Sequence, residues 1–266
     1  KEYATEKLRN VALVGHQGCG KTSLVESLLF NTGAINRIGR VEEGSTVSDW
    51  DEDEKSRGIS LSTSLIPVEF EDHKINILDT PGYTDFQGDM KNAIRVADAV
   101  IVVVDAVAGV EVGTELAWEY GKAFQQPIIV VINKLDRENS DFDGTLQQLR
   151  DSFEDHKFIP VMLPIGQEAD FKGVVNLMTM KAYYEAGGER SDLPDDMADA
   201  ADVQYLEGQQ SRLPHRTHQQ LAEMINAYRE TVTKVINQFR AADLLDIDRS
   251  GITLRNLARL REVAQG

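Results

Sequence analysis

The sequence predicts an α/β protein whose mainly parallel sheet is flanked by helices. Short apolar runs alternate with longer amphipathic stretches over the first two thirds of the chain. These runs are nearly continuous Val and Ile, as in parallel strands buried on both faces. Gly and Asp residues follow the runs, and ligands of open α/β sheets bind at such carboxyl ends of strands.

Four apolar runs give the predicted parallel strands, in the order Val11–Val14, Ile75–Leu78, Ala99–Val104 and Ile128–Ile132. Another run, Leu61–Val68, is separated from the second of these by the charged segment Glu69–His73. Because two apolar runs joined by a short polar segment are typical of a hairpin, we expect an antiparallel pair at one edge of the sheet.

Composition excludes several classes of protein. Among 266 residues, 41% are hydrophobic and 27% are charged, which excludes a wholly disordered chain. No apolar run is long enough to span a bilayer. Cys19 is the single cysteine and cannot form an intrachain disulfide, so we expect a reducing, cytoplasmic compartment.

Charge is unevenly distributed along the chain. The net charge is −16, which argues against a whole molecule that binds polyanions. From residue 209 to 266 there are nine Lys or Arg and six Asp or Glu, net +3, so the remainder carries 19 basic and 38 acidic residues, net −19. This asymmetry predicts two modules of different kind.

A phosphate-binding motif follows the first predicted strand. The pattern G-x-x-x-x-G-K-[ST] is matched by Gly15, His16, Gln17, Gly18, Cys19, Gly20, Lys21 and Thr22. Glycines let backbone N–H groups converge on phosphate oxygens, Lys21 neutralises phosphate charge, and Thr22 offers a hydroxyl to Mg²⁺. The alternative is a chance glycine-rich turn.

Two further motifs stand at strand ends. The first comprises Asp79, Thr80, Pro81 and Gly82, where a carboxylate can hold a metal-bound water and an amide can contact a γ-phosphate. The second comprises Asn133, Lys134 and Asp136, whose carboxylate can pair with the edge donors of guanine. Taken alone, the first could be a turn and the second a helix cap.

Through these motifs, residues 9 to 201 resemble the GTP-binding domains of translational GTPases of the elongation factor G family. Ile35–Trp50, Arg57–Ser60 and Val103–Glu115 are also similar to that family. The resemblance implies a P-loop GTPase fold, GTP or GDP with Mg²⁺ as ligands and the ribosome as a partner. It also implies that Thr22, Ser60 and Asp79 form the metal site and that Asn133, Lys134 and Asp136 recognise guanine.

The chain departs from the family's pattern at four points, one of which is Gly18, where the family often has an aspartate. Ser60 stands where the family usually has Thr, and Tyr83 stands where a histidine usually positions the attacking water. With Lys21, Gly82 and Tyr83 as the catalytic group, we expect slow hydrolysis, because a phenol with a pKa near 10 is a poor proton acceptor. The family's fifth motif, a Ser-Ala pair, is not found, so the predicted core is truncated before its last strand.

The acidic run Asp49–Glu54 allows two interpretations, a metal site or a solvated loop. Its carboxylates lack a fixed inward spacing, so we expect a solvated switch loop.

The C-terminal segment predicts a helix-turn-helix over Thr217–Phe239, followed by a hairpin formed by Leu244–Ile247 and Ile252–Leu254. This segment resembles the winged helix-turn-helix of the cyclic-AMP receptor protein (Crp/Fnr) family. The resemblance implies duplex DNA as a partner. The implied DNA contacts are Thr217, Tyr228, Arg229, Glu230, Thr231 and Lys234. A purely structural helical pair is the alternative.

These observations predict a GTP-binding domain over residues 1–205, with a partial insert subdomain over about 158–205, and a winged helix-turn-helix over 209–266. The main functional hypothesis is a GTPase that needs Mg²⁺. The rival hypothesis is a DNA-binding transcriptional regulator in which the GTPase part is a scaffold or nucleotide sensor.

Overall fold

The fold is seen in a computed structural model that describes residues 2–184, 190–194, 197, 201, 245–247 and 252–254. The chain divides into two compact units. One contains Lys1–His156, Pro164–Gly173 and Tyr184–Glu189, and the other contains Lys157–Leu163, Val174–Tyr183 and Arg190–Gly266. None of the described helices is long and apolar enough to cross a membrane.

The first unit is built on a five-stranded sheet. Its strands are β1 (Leu8–Val14), β2 (Ser64–Phe70), β3 (His73–Asp79), β4 (Ala99–Asp105) and β5 (Ile128–Asn133). The order across the sheet is β2-β3-β1-β4-β5, and only β2 runs antiparallel to its neighbour. The predicted mainly parallel sheet with an antiparallel pair at one edge is therefore confirmed.

Five α-helices of the described residues lie between or after these strands. They are α1 (Lys21–Asn31), α2 (Glu52–Arg57), α3 (Gln87–Val96), α4 (Val112–Ala123) and α5 (Phe142–Ser152). Side chains cap two of them: Asp51 forms a capping box with Glu54 at α2, and the Asp141 carboxylate accepts a hydrogen bond from Gly144 N at 2.9 Å in α5. The remaining helices depend more on packing of their apolar faces.

The hairpin between β2 and β3 turns through only two residues, Glu71 and Asp72. Both have positive φ, 43° and 62°. A two-residue loop with this backbone matches the right-handed twist of the flanking strands, although Asn-Gly is the usual sequence. The turn therefore holds two side chains in a conformation that is costly for them.

The core lies against the centre of the sheet. Leu13 on β1, Val25 and Leu29 on α1, Ile77 on β3 and Val103 on β4 are at most 5% exposed and belong to one cluster. Each such side chain contributes about 1.5–3 kcal/mol when fully buried. This packing fixes the position and direction of β1, and therefore the place where the phosphate-binding motif begins.

A second, four-stranded sheet has the order β6-β7-β8-β9. Its strands are β6 (Met162–Ile165), β7 (Gly173–Asn176), β8 (Lys181–Tyr184) and β9 (Arg190–Ser191). Nearer the C-terminus, β10 (Leu245–Ile247) pairs antiparallel with β11 (Ile252–Leu254). The strand pair predicted there is confirmed, whereas the predicted helices over Thr217–Phe239 lie outside the described residues.

Candidate nucleotide-binding site

The predicted motifs meet at one edge of the five-stranded sheet. Strand β1 lies between β3 and β4, and the chain leaves β1, β3, β4 and β5 at the same edge, after Val14, Asp79, Asp105 and Asn133. Because connections diverge on either side of β1, this edge has the crevice in which open α/β sheets bind ligands.

The loop of residues 15–20 needs glycine at two positions. Gly15 has φ 141°, and a Cβ there would lie 2.3 Å from the carbonyl oxygen of Val103. Gly20 has φ 100°, and a Cβ there would lie 2.3 Å from Asn133 Nδ2. The loop therefore approaches β4 and the Asn133 side chain too closely for any other residue.

Lys21 lies inside the curve of this loop and is only 6% exposed. Its Nζ donates hydrogen bonds to the carbonyl oxygens of Gly15 at 3.1 Å and His16 at 2.8 Å. The neighbouring Cys19 is 1% exposed, and burial raises the pKa of its thiol. The ammonium group is thus held at the point toward which the loop amides can converge on phosphate.

Three oxygen-bearing side chains gather next to the loop. Thr22 Oγ1 donates to Asp79 Oδ2 at 3.0 Å and lies 3.5 Å from Ser60 Oγ. Asp79 is 1% exposed, and its Oδ1 has no hydrogen-bond partner among the described residues. Two hydroxyls beside an unsatisfied carboxylate oxygen fit Mg²⁺, which prefers oxygen ligands and usually completes its shell with water and substrate phosphates.

Burial raises the pKa of Asp79 to about 6, against the opposing effects of Ser48, Lys21 and Thr22. The Ser48 hydroxyl lies near enough to limit the rise in the Asp79 pKa. However, neither Ser48 Oγ nor Asp79 Oδ1 has a hydrogen-bond partner of ordinary geometry in the described part of the chain. The site therefore holds a carboxylate whose charge is poorly compensated by the chain itself, which is where an added cation would bind most favourably.

The prediction of a solvated loop for Asp49–Glu54 is wrong for two of its carboxylates. Residues 51–53 are exposed, but Asp49 is 3% and Glu54 is 1% exposed. Asp49 Oδ1 accepts a hydrogen bond from Ser60 Oγ at 2.7 Å, and Glu54 Oε1 accepts one from Leu61 N at 2.9 Å. Their partners lie beyond helix α2, so the local spacing did not reveal them.

Glu26 is a further residue that the sequence did not indicate. It lies on α1, is fully buried, and accepts hydrogen bonds from the backbone amides of Gly39 at 2.8 Å and Val47 at 2.6 Å. This carboxylate fastens the segment that precedes α2 to the helix that follows the phosphate loop. A glutamate within a helix gives no sequence signal of such a role.

The second motif packs directly on the phosphate loop. Thr80 Oγ1 donates to the carbonyl oxygen of Leu13 at 2.8 Å. A Cβ on Gly82 would lie 2.5 Å from Lys21 Nζ and 2.6 Å from Gln17 Cα. Tyr83, in contrast, is 37% exposed. Gly82 therefore lies directly against Lys21 and the loop of residues 15–20, whereas the side chain of Tyr83 is open to solvent.

The third motif is joined to the first by its asparagine. Asn133 Nδ2 donates to the carbonyl oxygen of Cys19 at 2.9 Å. Lys134 has φ 62°, and its Nζ forms an ion pair with Asp105 Oδ2 at 2.6 Å. Asp136 is exposed. The structure thus brings Asn133 and Lys134 to the site and leaves the Asp136 side chain open to solvent.

Asp105 ends β4 and was not singled out from the sequence. Burial alone would raise the pKa of Asp105, but hydrogen bonds from Lys134 and from the backbone of Val107 together lower it below its ordinary value. The sequence did contain a signal for this role. Asp105 ends a predicted strand next to one that carries a predicted motif, so it is a candidate partner for a nearby lysine.

The predicted DNA contacts cannot be placed in this way. Thr217, Tyr228, Arg229, Glu230, Thr231 and Lys234 all lie outside the described residues.

Comparison with known proteins agrees with this geometry. Residues 6–238 match the family described as "Elongation factor Tu GTP binding domain". Over 182 residues the chain is 41% identical to elongation factor G of Petrotoga mobilis, which covers 68% of this chain and 26% of that protein. A crystal structure of a protein from Thermus thermophilus superposes with a TM-score of 0.70 at 39% identity, covering 75% of this chain and 30% of the other.

The chain thus spans about a quarter of the length of the elongation factor G that it resembles. Its family match covers more than half of its own residues and includes all three motifs. The chain therefore belongs to the family of the elongation factor Tu GTP binding domain, and the relatives that it matches are translational GTPases.

Proposed function

We propose that this chain binds guanine nucleotides with Mg²⁺ at the carboxyl edge of the five-stranded sheet and hydrolyses GTP slowly. The observation that carries the proposal is the hydrogen bond from Asn133 Nδ2 to the carbonyl oxygen of Cys19. It ties the residue proposed to recognise the base to the loop proposed to hold the phosphates, so one nucleotide can reach both.

Each residue has a distinct part in this proposal. Lys21 and the amides of residues 15–20 stabilise phosphate charge, and Thr22, Ser60 and Asp79 would hold Mg²⁺. The metal, when bound, neutralises charge on the β- and γ-phosphates. Gly82 N–H would donate to the γ-phosphate, and the half-exposed Tyr83 would orient the attacking water. The proton of that water would pass to a γ-phosphate oxygen and not to the phenol, while the bond from the γ-phosphorus to the β–γ bridging oxygen breaks and GDP leaves.

Calorimetric titration with GTP and GDP in Mg²⁺, with ATP as the control nucleotide, tests the binding proposal. We expect micromolar or tighter affinity for both guanine nucleotides and none for ATP. Equal affinity for ATP would contradict the assignment of Asn133, Lys134 and Asp136, and no binding of any nucleotide would contradict the proposal as a whole.

Slow hydrolysis is tested by Tyr83→His. An imidazole can exchange protons near neutral pH, so we expect single-turnover phosphate release at least about tenfold faster than in the parent chain. Tyr83→Phe is the matched control, because it keeps the ring and removes only the hydroxyl. A Tyr83→His variant no faster than the parent would show that Tyr83 does not limit the rate.

We also propose that the ribosome is the partner of this chain, because the family and the elongation factor G relative are translational. The chain corresponds to a quarter of that relative, so the proposal concerns association and not translocation. Co-sedimentation with ribosomes in the presence of a non-hydrolysable GTP analogue, but not of GDP, would support it. Equal pelleting with and without nucleotide would contradict it.

Our finer proposals concern the domain limits and the C-terminal segment. We retain 1–205 as the GTP-binding domain, with an insert from about 158, and 209–266 as a winged helix-turn-helix that binds duplex DNA. The pairing of β10 with β11 favours its hairpin, while residues 209–238 also fall within the family match. Salt-dependent DNA binding that is lost in an Arg229→Ala/Lys234→Ala variant is the expected result, and binding unchanged in that variant would contradict it.

A further inference from the structure

Ser60 is held from its C-terminal side by a buried carboxylate. Glu54 Oε1 accepts hydrogen bonds from two successive backbone amides, Leu61 N at 2.9 Å and Ser62 N at 3.2 Å. Its other oxygen, Oε2, faces Asp51 N at 3.4 Å within the capping box of α2. One side chain therefore connects the start of helix α2 to the residues that immediately follow Ser60.

The environment of Glu54 makes this arrangement demanding. The residue is 1% exposed, and in the described part of the chain it forms no ion pair. A buried carboxylate without a cation is costly unless its oxygens are hydrogen-bonded, and an acceptor-only group suits converging N–H donors. Hydrogen bonds from the backbone amides thus offset the free-energy cost of burying the Glu54 carboxylate, and the carboxylate in turn fixes those amides in place.

The side chain of Ser60 is fixed separately. Its Oγ donates to Asp49 Oδ1 at 2.7 Å and lies 3.5 Å from Thr22 Oγ1. Serine lacks the γ-methyl that restricts χ1 in threonine, so its hydroxyl direction depends more on its surroundings. Backbone placement by Glu54 and hydroxyl placement by Asp49 together supply the restraint.

We propose that Glu54 is a positioning residue that places the Ser60 hydroxyl for Mg²⁺ by holding the amides of Leu61 and Ser62. This inference rests on the proposed nucleotide function. It predicts that Glu54 affects the response of the site to Mg²⁺ without contacting metal or nucleotide.

The test is Glu54→Gln with Glu52→Gln as its matched control. Glu52 lies on the same helix with a side chain 91% exposed, and it undergoes the same chemical change. We measure the Mg²⁺ concentration that gives half-maximal slowing of GTP dissociation from each variant. Glu54→Gln should need about tenfold more Mg²⁺ than the parent, as loss of a residue behind a metal ligand typically requires, and Glu52→Gln should match the parent.

A double-mutant cycle separates positioning from general damage. In a Ser60→Ala background, Glu54→Gln should have no further effect on the Mg²⁺ requirement, because the hydroxyl that it positions is gone. In the nucleotide-free chain, hydrogen exchange of the Leu61 and Ser62 amides should be faster in Glu54→Gln than in Glu52→Gln. If Glu54→Gln does not fold, Glu54→Asp keeps the charge, withdraws the oxygens by one methylene, and is scored in the same way.

Several outcomes overturn the proposal. The proposal is wrong if the Glu54 variant needs no more Mg²⁺ than Glu52→Gln. It is also wrong if Glu54→Gln raises the Mg²⁺ requirement as much in the Ser60→Ala background as in the parent chain. Failure of the parent chain to bind GTP at any Mg²⁺ concentration is a different result, since it contradicts the proposed function itself.

Discussion

The phosphate side of the site and the base side are built very differently. On the phosphate side, Lys21, Thr22, Asp79 and Thr80 are all buried, and they follow strands with a neighbour on either side. On the proposed base side, β5 pairs only with β4 among the described strands, Ile129 is 54% exposed, and Asp136 is exposed. The sheet itself thus positions the residues proposed to bind phosphate, whereas a few side-chain contacts position those proposed to bind the base.

The largest expected effect tests the packing on which this difference depends. Leu13→Ala removes a side chain that is 1% exposed at the end of β1, so we expect a loss of about 2–5 kcal/mol in the free energy of unfolding. Ile129→Ala on the half-exposed β5 is the matched variant and should cost less than about 1 kcal/mol. Urea denaturation measures both, and equal losses would contradict the comparison.

Removal of the loop cation is next in size. Lys21→Ala deletes a buried ammonium at the proposed phosphate position, and we expect GTP and GDP affinity to fall at least about a hundredfold. Lys172→Ala removes an equal charge from an exposed position of the same unit and should leave affinity unchanged. Calorimetry compares the two variants, and a loss shared by both would indicate a bulk charge effect.

The buried carboxylate gives a pH-dependent prediction. Because the pKa of Asp79 in the folded chain is raised to about 6 from 3.8, folding favours its protonated form. Its contribution to stability is therefore present below about pH 4 and is lost as pH rises through 6. Asp79→Asn should stabilise the nucleotide-free chain at pH 7 by on the order of 2–3 kcal/mol while abolishing Mg²⁺-dependent binding.

The measurement is the urea midpoint of parent and Asp79→Asn at pH 4.5 and pH 7 in the absence of nucleotide. The difference between the two proteins should be larger at pH 7. A difference that does not change with pH would show that Asp79 does not titrate in this range.

The smallest effect concerns the base side. Asp105→Asn weakens the ion pair that orients Lys134, a partly exposed pair with side chains 13% and 30% accessible. We expect guanine nucleotide affinity to fall only about two- to fivefold. Asp155→Asn, which disrupts a more exposed ion pair with Lys122, is the control and should not change affinity. A hundredfold loss in Asp105→Asn would mean that the base side is as tightly constructed as the phosphate side.

The same contrast explains what could be predicted from sequence. Val14, Asp79 and Asn133 stand at strand ends, so a short motif next to an apolar run was enough to place them at one edge of the sheet. The positions of Glu26, Asp49 and Glu54 could not be found in this way, because their partners are backbone amides or hydroxyls of an irregular segment up to 21 residues away. Residue type alone predicts exposure for such carboxylates, and tertiary contacts reverse that expectation.

The Lys134–Asp105 pair lies between these cases. Its members are 29 residues apart, yet register brings Asp105 opposite Asn133, the residue before Lys134. Sheet order was needed to make that connection, and the order of parallel strands is set by core packing and not by any local pattern.

The burial of Cys19 provides a built-in measure of how often the phosphate-binding loop opens. As the single cysteine, 1% exposed and with its thiol pKa raised by burial, it can be alkylated only when the phosphate loop opens. The rate of thiol alkylation in the native protein therefore measures how often the loop opens, and no second cysteine has to be introduced. A ligand that keeps the loop closed should lower the rate of Cys19 alkylation in proportion to the fraction of the protein that is bound.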